Sequence, residues 1–374
     1  MRIAFLCKRR YMGKDVILDR YARLYEIPRQ LAHLDNEVGA FCLDYHAADT
    51  DGCWEHEAAP GRLRWHSLSV GRTRLPRLAA YPWHLLRQLR AFKPDILVGA
   101  SDIPHVVLAR WLARRLQVPY AIDLYDNFEG FGQARIPGFV PALRRAVRDA
   151  TVVTTTSEPL RQKVLADGAR GTVIAMPSSV DLAVFHPGDK AQARQALSLP
   201  QDGKLVGTAG GLYREKGIEP LYAAWPALAA SRPDVHLVLA GPLENGFAPP
   251  QGERVHYLGH LAHGQIANLF RALDVGIISI LDTPFGRYCF PQKAYEMLAC
   301  KLPVVATAIG QMREVCGSTP QALFAPGDST ALTRAVLWQL QSGSTPAVPI
   351  ADWKTLIGSI EPVLKRQSGA AAGG

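Results

Sequence analysis

No apolar run in the 374 residues approaches the roughly 18 needed to cross a bilayer, so no transmembrane helix is expected. The six cysteines (Cys7, Cys42, Cys53, Cys289, Cys300 and Cys316) form no C-x-x-C pair and no metal-ligand spacing. They read as reduced thiols in a cytoplasmic protein. The first apolar run, residues 3–7, is too short for a signal peptide and reads as an opening strand. A single D-x-D spacing, Asp49 and Asp51, is not presented by any clear strand, so no metal is expected. No stacking motif accompanies the basic residues, which argues against nucleic acid, and no covalent nucleophile is evident. Acid is missing altogether from residues 58–94, where seven Arg and one Lys stand.

What is present suits two domains of ordinary size. The chain is 48% hydrophobic, and its net charge of +9 is uneven. Residues 1–185 carry 26 Lys+Arg and 19 Asp+Glu, or +7, which leaves +2 for the remainder. The Arg-rich stretch from Arg62 to Arg90 is interleaved with Trp65, Tyr81 and Trp83. Its second half suits an amphipathic helix at an anionic membrane surface, and packing against the domain core is the plainer use of the same residues.

Short apolar runs alternate with helical patterns along the chain. Strands are expected at 3–7, 38–43, 94–99, 120–123, 151–157 and 173–176, with helices at 22–33 and 106–116 between them. A polar, basic loop from Lys8 to about Arg20 contains Gly13. Asp123, Tyr125 and Asp126 lie at the carboxyl end of a strand, where doubly wound sheets place functional loops. Residues 187–203, rich in Pro, Asp and Gly, read as a linker. The pattern then restarts, with strands at 205–209, 235–239 and 275–280. It closes with a helix over 353–364 and a tail, 367–374, expected to be disordered.

The sharpest chemical signal is residues 291–307. Pro291 opens a helix where its missing N–H is not needed. Lys293 lies in the first turn, and Glu296, three residues on, shares its face. Free N–H groups and a lysine at a helix start suit a phosphate, while a carboxylate one turn deeper can accept hydrogen bonds from sugar hydroxyls. An ordinary surface helix with an i,i+3 ion pair would have the same spacing.

Three blocks resemble family 4 of the retaining glycosyltransferases, and the resemblance covers nearly the whole chain. TSEPL (156–160) with PSSVDL (177–182) and FHP (185–187) is similar to the family hinge. GLYREKG (211–217) is similar to its donor loop, and PQKAYEMLAC (291–300) to its donor helix. The resemblance implies the GT-B fold, two facing Rossmann-like doubly wound domains with a cleft between them. An acceptor domain would span 1–186 and a nucleotide-sugar domain 204–350, with a helix at 351–366 returning to the first domain. It implies a nucleotide-diphosphate sugar as co-substrate and a hydroxyl of a glycan or lipid-linked molecule as acceptor, in cell-surface polysaccharide or glycolipid synthesis. By position, Lys216 and Lys293 bind the leaving diphosphate and Glu296 holds the ribose. Gly210, Gly211, Arg214, His260 and Pro291 complete the donor side, and Asp126 touches the acceptor hydroxyl beside Gly13, Asp123 and Tyr125. Those cations would stand in for a divalent metal.

The chain departs from the family pattern at four points. Gly211 stands where the donor loop often has Arg, with Arg214 three residues on as the replacement charge. Tyr288 replaces the first Glu of the family pair, which bears on retention. Lys301 occupies the turn that is usually Gly. Tyr125 stands where an acceptor-side His is common. A sugar-nucleotide epimerase on the same fold, or a non-catalytic nucleotide-sugar-binding protein, are the alternatives. The expected location is cytoplasmic, with a peripheral membrane face.

Overall fold

Strands that are apolar along their whole length must be covered on both faces, and here helices cover them. The structure is a computed structural model and describes residues 1–46, 50–71 and 74–370. It divides into two units, residues 1–178 with the helix Trp353–Ala370, and residues 179–352.

The first unit is built on eight strands. Their order is Thr172–Ala175, Val152–Thr155, Tyr120–Leu124, Ile96–Ala100, Arg2–Lys8, Glu37–Asp44, Arg62–Ser69 and Gly52–His56. Only the last pairs antiparallel. Ile96–Ala100 and Tyr120–Leu124 are buried at every position. Arg2–Lys8 pairs with Glu37–Asp44 on one side and Ile96–Ala100 on the other. The sheet therefore changes its direction of growth at this strand, and such a switch opens a crevice at the carboxyl ends. In the second unit six parallel strands run in the order Val255–Tyr257, Val235–Ala240, Lys204–Ala209, Val275–Ile278, Val304–Thr307 and Leu323–Phe324. The switch falls between Lys204–Ala209 and Val275–Ile278.

Several sequence expectations are corrected. The basic loop after Lys8 is a small hairpin, Arg10–Tyr11 paired with Lys14–Asp15. Met12 and Gly13 form its left-handed tip. The buried Arg9 anchors it, donating to Asp15 at 2.9 Å, Ser67 Oγ at 3.0 Å and the Thr50 carbonyl at 2.6 Å. The first half of the Arg-rich stretch, for which no element was expected, is a strand, and the helix expected of the second half is present. In Arg62–Ser69, Arg62 and Arg64 point outward and alternate with buried Leu63 and Trp65, the two-residue period of a strand. The helix Arg74–Phe92 follows, and Arg72 lies outside the described residues. The stretch read as a linker contains the helix Lys190–Ala196, and Ala193, Leu197 and Leu199 nearby are buried in the second unit's core. The final helix runs to Ala370 rather than Leu364, so residues 367–370 of the tail expected to be disordered are helical, and 371–374 lie outside the described residues.

The helix Trp353–Ala370 packs on Ala22–His33. Ile357, Ile360 and Leu364 are buried, and the Asn36 amide donates to Glu361 at 3.1 Å. Burying each such aliphatic contributes about 1.5–3 kcal/mol. Lys301 takes the left-handed conformation (φ 59°) expected of the usual glycine. Its amide donates to the Leu298 carbonyl at 3.0 Å, and that of Leu302 to Met297 at 3.0 Å. This is the paired C-terminal cap called a Schellman motif, and it seats Leu302 in the core beside Met297, which offsets the strain at Lys301.

Candidate functional site

In the second unit, the loops at the carboxyl ends of the two switch-point strands meet the helix Gln292–Ala299. Lys204–Ala209 ends in Gly210, whose φ of +114° favours glycine. A Cβ there would stand 3.3 Å from Lys293 Nζ, and one on Gly241 would strike the Gly210 carbonyl oxygen at 2.0 Å. Glycine therefore lets two loop backbones close over the strand ends. A small pocket follows, lined by Thr208, Gly211, Leu212, Lys216, Ile218, Ile277, Ser279 and Lys293.

Two lysines, far apart in sequence, share this pocket. Lys293 Nζ donates to Thr208 Oγ1 at 3.2 Å. Burial lowers its pKa to about 8, the Glu296 carboxylate pushes back, and Lys216 adds to the depression. Ser279 Oγ is buried there with no hydrogen-bond partner among the described residues. A buried hydroxyl without a partner is costly, and a phosphate oxygen in the pocket would satisfy it. Glu296, one turn along the helix, is raised to about 7 by burial, against the opposing effects of Gln292 and Lys293. Gln292 Nε2 donates to Glu296 Oε1 at 3.1 Å and to the Ser179 carbonyl at 3.2 Å, which fixes the carboxylate's orientation.

Other expected donor residues stand differently. Pro291 is the residue before the first helical turn rather than within it. The amides of Gln292 and Ala294 are already turned onto the Phe290 and Pro291 carbonyls at 2.9 and 2.8 Å, so fewer helix-start N–H groups are free than the sequence suggested. Arg214 is not poised as the spare diphosphate cation. Its guanidinium lies 4.3 Å from the Phe247 ring centre and 3.2 Å from the Glu219 carboxylate. His260 is exposed and does not line the pocket.

In the first unit, Asp126 is buried just beyond the strand Tyr120–Leu124, with Oδ1 accepting from the Asn127 amide at 2.8 Å. Tyr125 donates its hydroxyl to the Ser101 carbonyl at 2.8 Å. Gly13 is at the hairpin tip, where an added Cβ would meet nothing within 4 Å. Asp123, expected on the acceptor side, is instead a structural anchor. It takes three hydrogen bonds of 2.6–3.1 Å from Arg23 and one of 2.6 Å from Thr154 Oγ1, and both partners of the pair are buried. Of the D-x-D pair, Asp49 lies outside the described residues, and Asp51 accepts from the Ser69 amide at 2.6 Å and from Arg77 at 3.0 Å.

Sequence reasoning missed Thr208, Ser279, Lys8, Ser101 and Asp102. Each sits at or just past the carboxyl end of an apolar strand, and that position was the available signal. Burial pushes the Asp102 carboxyl up, yet His105, through charge and through hydrogen bonds of 2.6 and 3.0 Å, holds it below the usual carboxylate range.

Two doubly wound parallel-sheet units, one with a cationic pocket at its switch point, define the class: this is a glycosyltransferase of the GT-B fold. The chain carries both characteristic parts, with residues 22–177 matching the glycosyl transferase 4-like domain and residues 203–342 the domain described as glycosyl transferases group 1. It is 26% identical over 289 residues to a protein of Bacillus subtilis assigned to teichuronic acid biosynthesis as the glycosyltransferase TuaC, covering 75% of this chain and 68% of that one. It is 33% identical over 227 residues to a D-inositol 3-phosphate glycosyltransferase of Stackebrandtia nassauensis, covering 56% of this chain and about half, 48%, of the relative. In structure it is similar to Anabaena HepE in complex with UDP, with a TM-score of 0.65, 19% identity, and 100% and 99% of the two chains covered. No helix among the described residues is long and apolar enough to cross a membrane.

Proposed function

We propose that the second unit binds a nucleotide-diphosphate sugar and that the first unit binds the acceptor hydroxyl, with transfer of a hexose and retention at the anomeric carbon. The observation that carries the donor assignment is the convergence of Lys216, Lys293 and the unsatisfied Ser279 hydroxyl on one pocket. Breaking the anomeric C–O bond leaves its electron pair on the diphosphate. Fixed cations stabilise that growing charge more than the charge of the intact donor, and this difference is what accelerates the reaction. In this reading Lys216 and Lys293 neutralise the diphosphate without a divalent metal, and Glu296 accepts hydrogen bonds from the ribose. Asp126 receives the hydrogen bond of the attacking hydroxyl and helps to draw off its proton. Retention rests on the family resemblance, from which Tyr288, in place of the usual Glu, departs.

The acceptor is a glycan or a lipid-linked sugar in polysaccharide or glycolipid synthesis, a reading supported by the teichuronic acid relative. The enzyme works in the cytoplasm with a peripheral hold on an anionic membrane. The exposed face of Arg74–Phe92, with Leu75 79% and Trp83 58% exposed, supports that hold. Calorimetric titration with UDP, GDP and ADP in the presence of EDTA tests the donor reading. One of the three should bind, with UDP tried first because HepE binds it. Absence of binding by all three, or binding only with magnesium or manganese restored, would overturn the reading.

A further inference from the structure

At the carboxyl end of Arg2–Lys8, where the first sheet changes direction, the chain places a half-buried cation with no ion-pair partner among the described residues. Among the described residues Lys8 Nζ has one hydrogen-bond partner, the neutral Tyr125 hydroxyl at 3.1 Å. That hydroxyl spends its own proton on the Ser101 carbonyl, so it can only accept from Lys8. The nearby Asp102 carboxylate is committed elsewhere. It holds the His105 ring nitrogen at 2.6 Å, the His105 amide at 3.0 Å and the Tyr45 hydroxyl at 3.1 Å. Two of the three ammonium donors of Lys8 are therefore unspent. Burial draws its pKa below the ordinary lysine value, while the Asp102 carboxylate pushes back. A partly desolvated ammonium favours an anion that reaches it.

The surroundings define the rest of the ligand. The ammonium lies 5.7 Å from the Tyr11 ring centre and 5.8 Å from that of Tyr125. A row of partly buried rings continues from there. Tyr21 and Tyr11 are 6.1 Å apart, Tyr11 and Tyr125 5.0 Å, and Tyr125 and Phe131 6.1 Å. Such rings offer an apolar face with a polar edge, which matches a pyranose with its C–H face and rim of hydroxyls. Tyr11 is held in place by the hairpin that Arg9 anchors, so the row is preorganised. Asp126, the acceptor-side carboxylate, is close enough to raise the Tyr11 hydroxyl pKa, after burial, which is the larger cause.

We propose that Lys8, Tyr11 and Tyr125 form an acceptor subsite selective for a sugar bearing an anionic group, a phosphate or a carboxylate, with the sugar ring against the tyrosines and the anion on Lys8. This rests on the reading of the first unit as the acceptor unit. It goes further in naming the acceptor's charge and the residue that selects it.

Ligand-observed NMR titrations of the full chain, without nucleotide, with glucose 6-phosphate, glucuronate and glucose test it. At least one anionic sugar should bind about tenfold or more tighter than glucose, as for one charge-assisted hydrogen bond. Which of the two binds better tells phosphate from carboxylate. Lys8→Met should bring both to the level of glucose, Lys8→Arg should keep the preference, and Tyr11→Leu should weaken all three alike. Lys8→Gln, which still donates to Tyr125, replaces Lys8→Met if that variant does not fold. Equal binding of charged and neutral sugars, no binding by any, or a preference that survives loss of the Lys8 charge would overturn the proposal. Affinity for UDP, measured separately, should be the same in every Lys8 variant as in the parent. Failure of the parent to bind nucleotide strikes the donor reading alone, because the sugar titrations use none.

Discussion

Lys293 and Glu296 are three residues apart on one helix, yet their environments push them in opposite directions, to about 8 and about 7. In the transfer reading the two do different work. Lys293 faces charge that grows as the bond breaks, so Lys293→Ala should lower kcat by on the order of a hundredfold. Glu296 holds neutral hydroxyls equally before and during reaction. Glu296→Ala should weaken donor binding by roughly ten- to a hundredfold with little change in kcat. Steady-state rates and donor calorimetry separate the two effects, and unaltered donor affinity in Glu296→Ala would refute the ribose assignment. The sign of the pH dependence follows from the same shifts. The Glu296 carboxylate is charged above about 7 and the Lys293 ammonium below about 8, so donor affinity should peak between those values and fall on either side. A bound diphosphate favours the charged lysine. Binding at pH 8 should therefore take up a proton in part, seen as a dependence of the binding enthalpy on the buffer's ionisation enthalpy. The buried Asp123 carries a different expectation. Asp123→Ala strands Arg23 in the interior and should cost stability by about 3–5 kcal/mol, measured by denaturant unfolding.

At the scale of elements, the donor helix is held by its cap as much as by its buried face. Lys301 bears the left-handed turn that glycine takes without penalty, and Lys301→Gly should stabilise the chain by about 1 kcal/mol. A loss of stability in urea titrations would show that the lysine side chain contributes more than its backbone strain costs. The helix Arg74–Phe92 is buried only from Tyr81 onward, on one face, and its first half exposes Leu75 and Leu78 beside Arg77. Arg77 is already paired with Asp51 at 3.0 Å, so among the described side chains of the helix Arg87 and Arg90 are the charges left for an anionic surface, each worth about 1 kcal/mol there. Flotation should show binding to anionic vesicles that weakens with salt and is lost in Leu75→Asp with Trp83→Asp. Equal binding to neutral vesicles would remove the idea.

At the scale of the molecule, the first unit is closed by a helix from the far end of the chain. Removing residues 353–374 should lower the melting transition of the first unit and leave that of the second in place, as two calorimetric transitions would show. Equal shifts in both would mean that the helix supports the whole molecule. Much of this plan was legible in the sequence. Alternating apolar runs and helical periods gave the doubly wound sheets, because a strand buried on both faces has to be apolar throughout. The residues 291–307 stood out because helix caps and i,i+3 pairs are local. The hairpin after Lys8 was read as a loop and the strand Arg62–Ser69 was not expected, because two-residue alternation with arginine outward looks like a basic surface until a partner strand is in place. The linker was misread because Pro and Gly marked its ends and hid the short helix within. The sequence by itself determined the fold class and the helix that bears Lys293 and Glu296, since both follow from local periodicity. Only the tertiary structure decided that Lys216, Lys293 and Ser279 share a pocket, that Asp123 and Arg214 are occupied elsewhere, and that Lys8 has no ion-pair partner among the described residues. Those are long-range pairings, set by which strand ends meet at each switch point, and no local pattern records them.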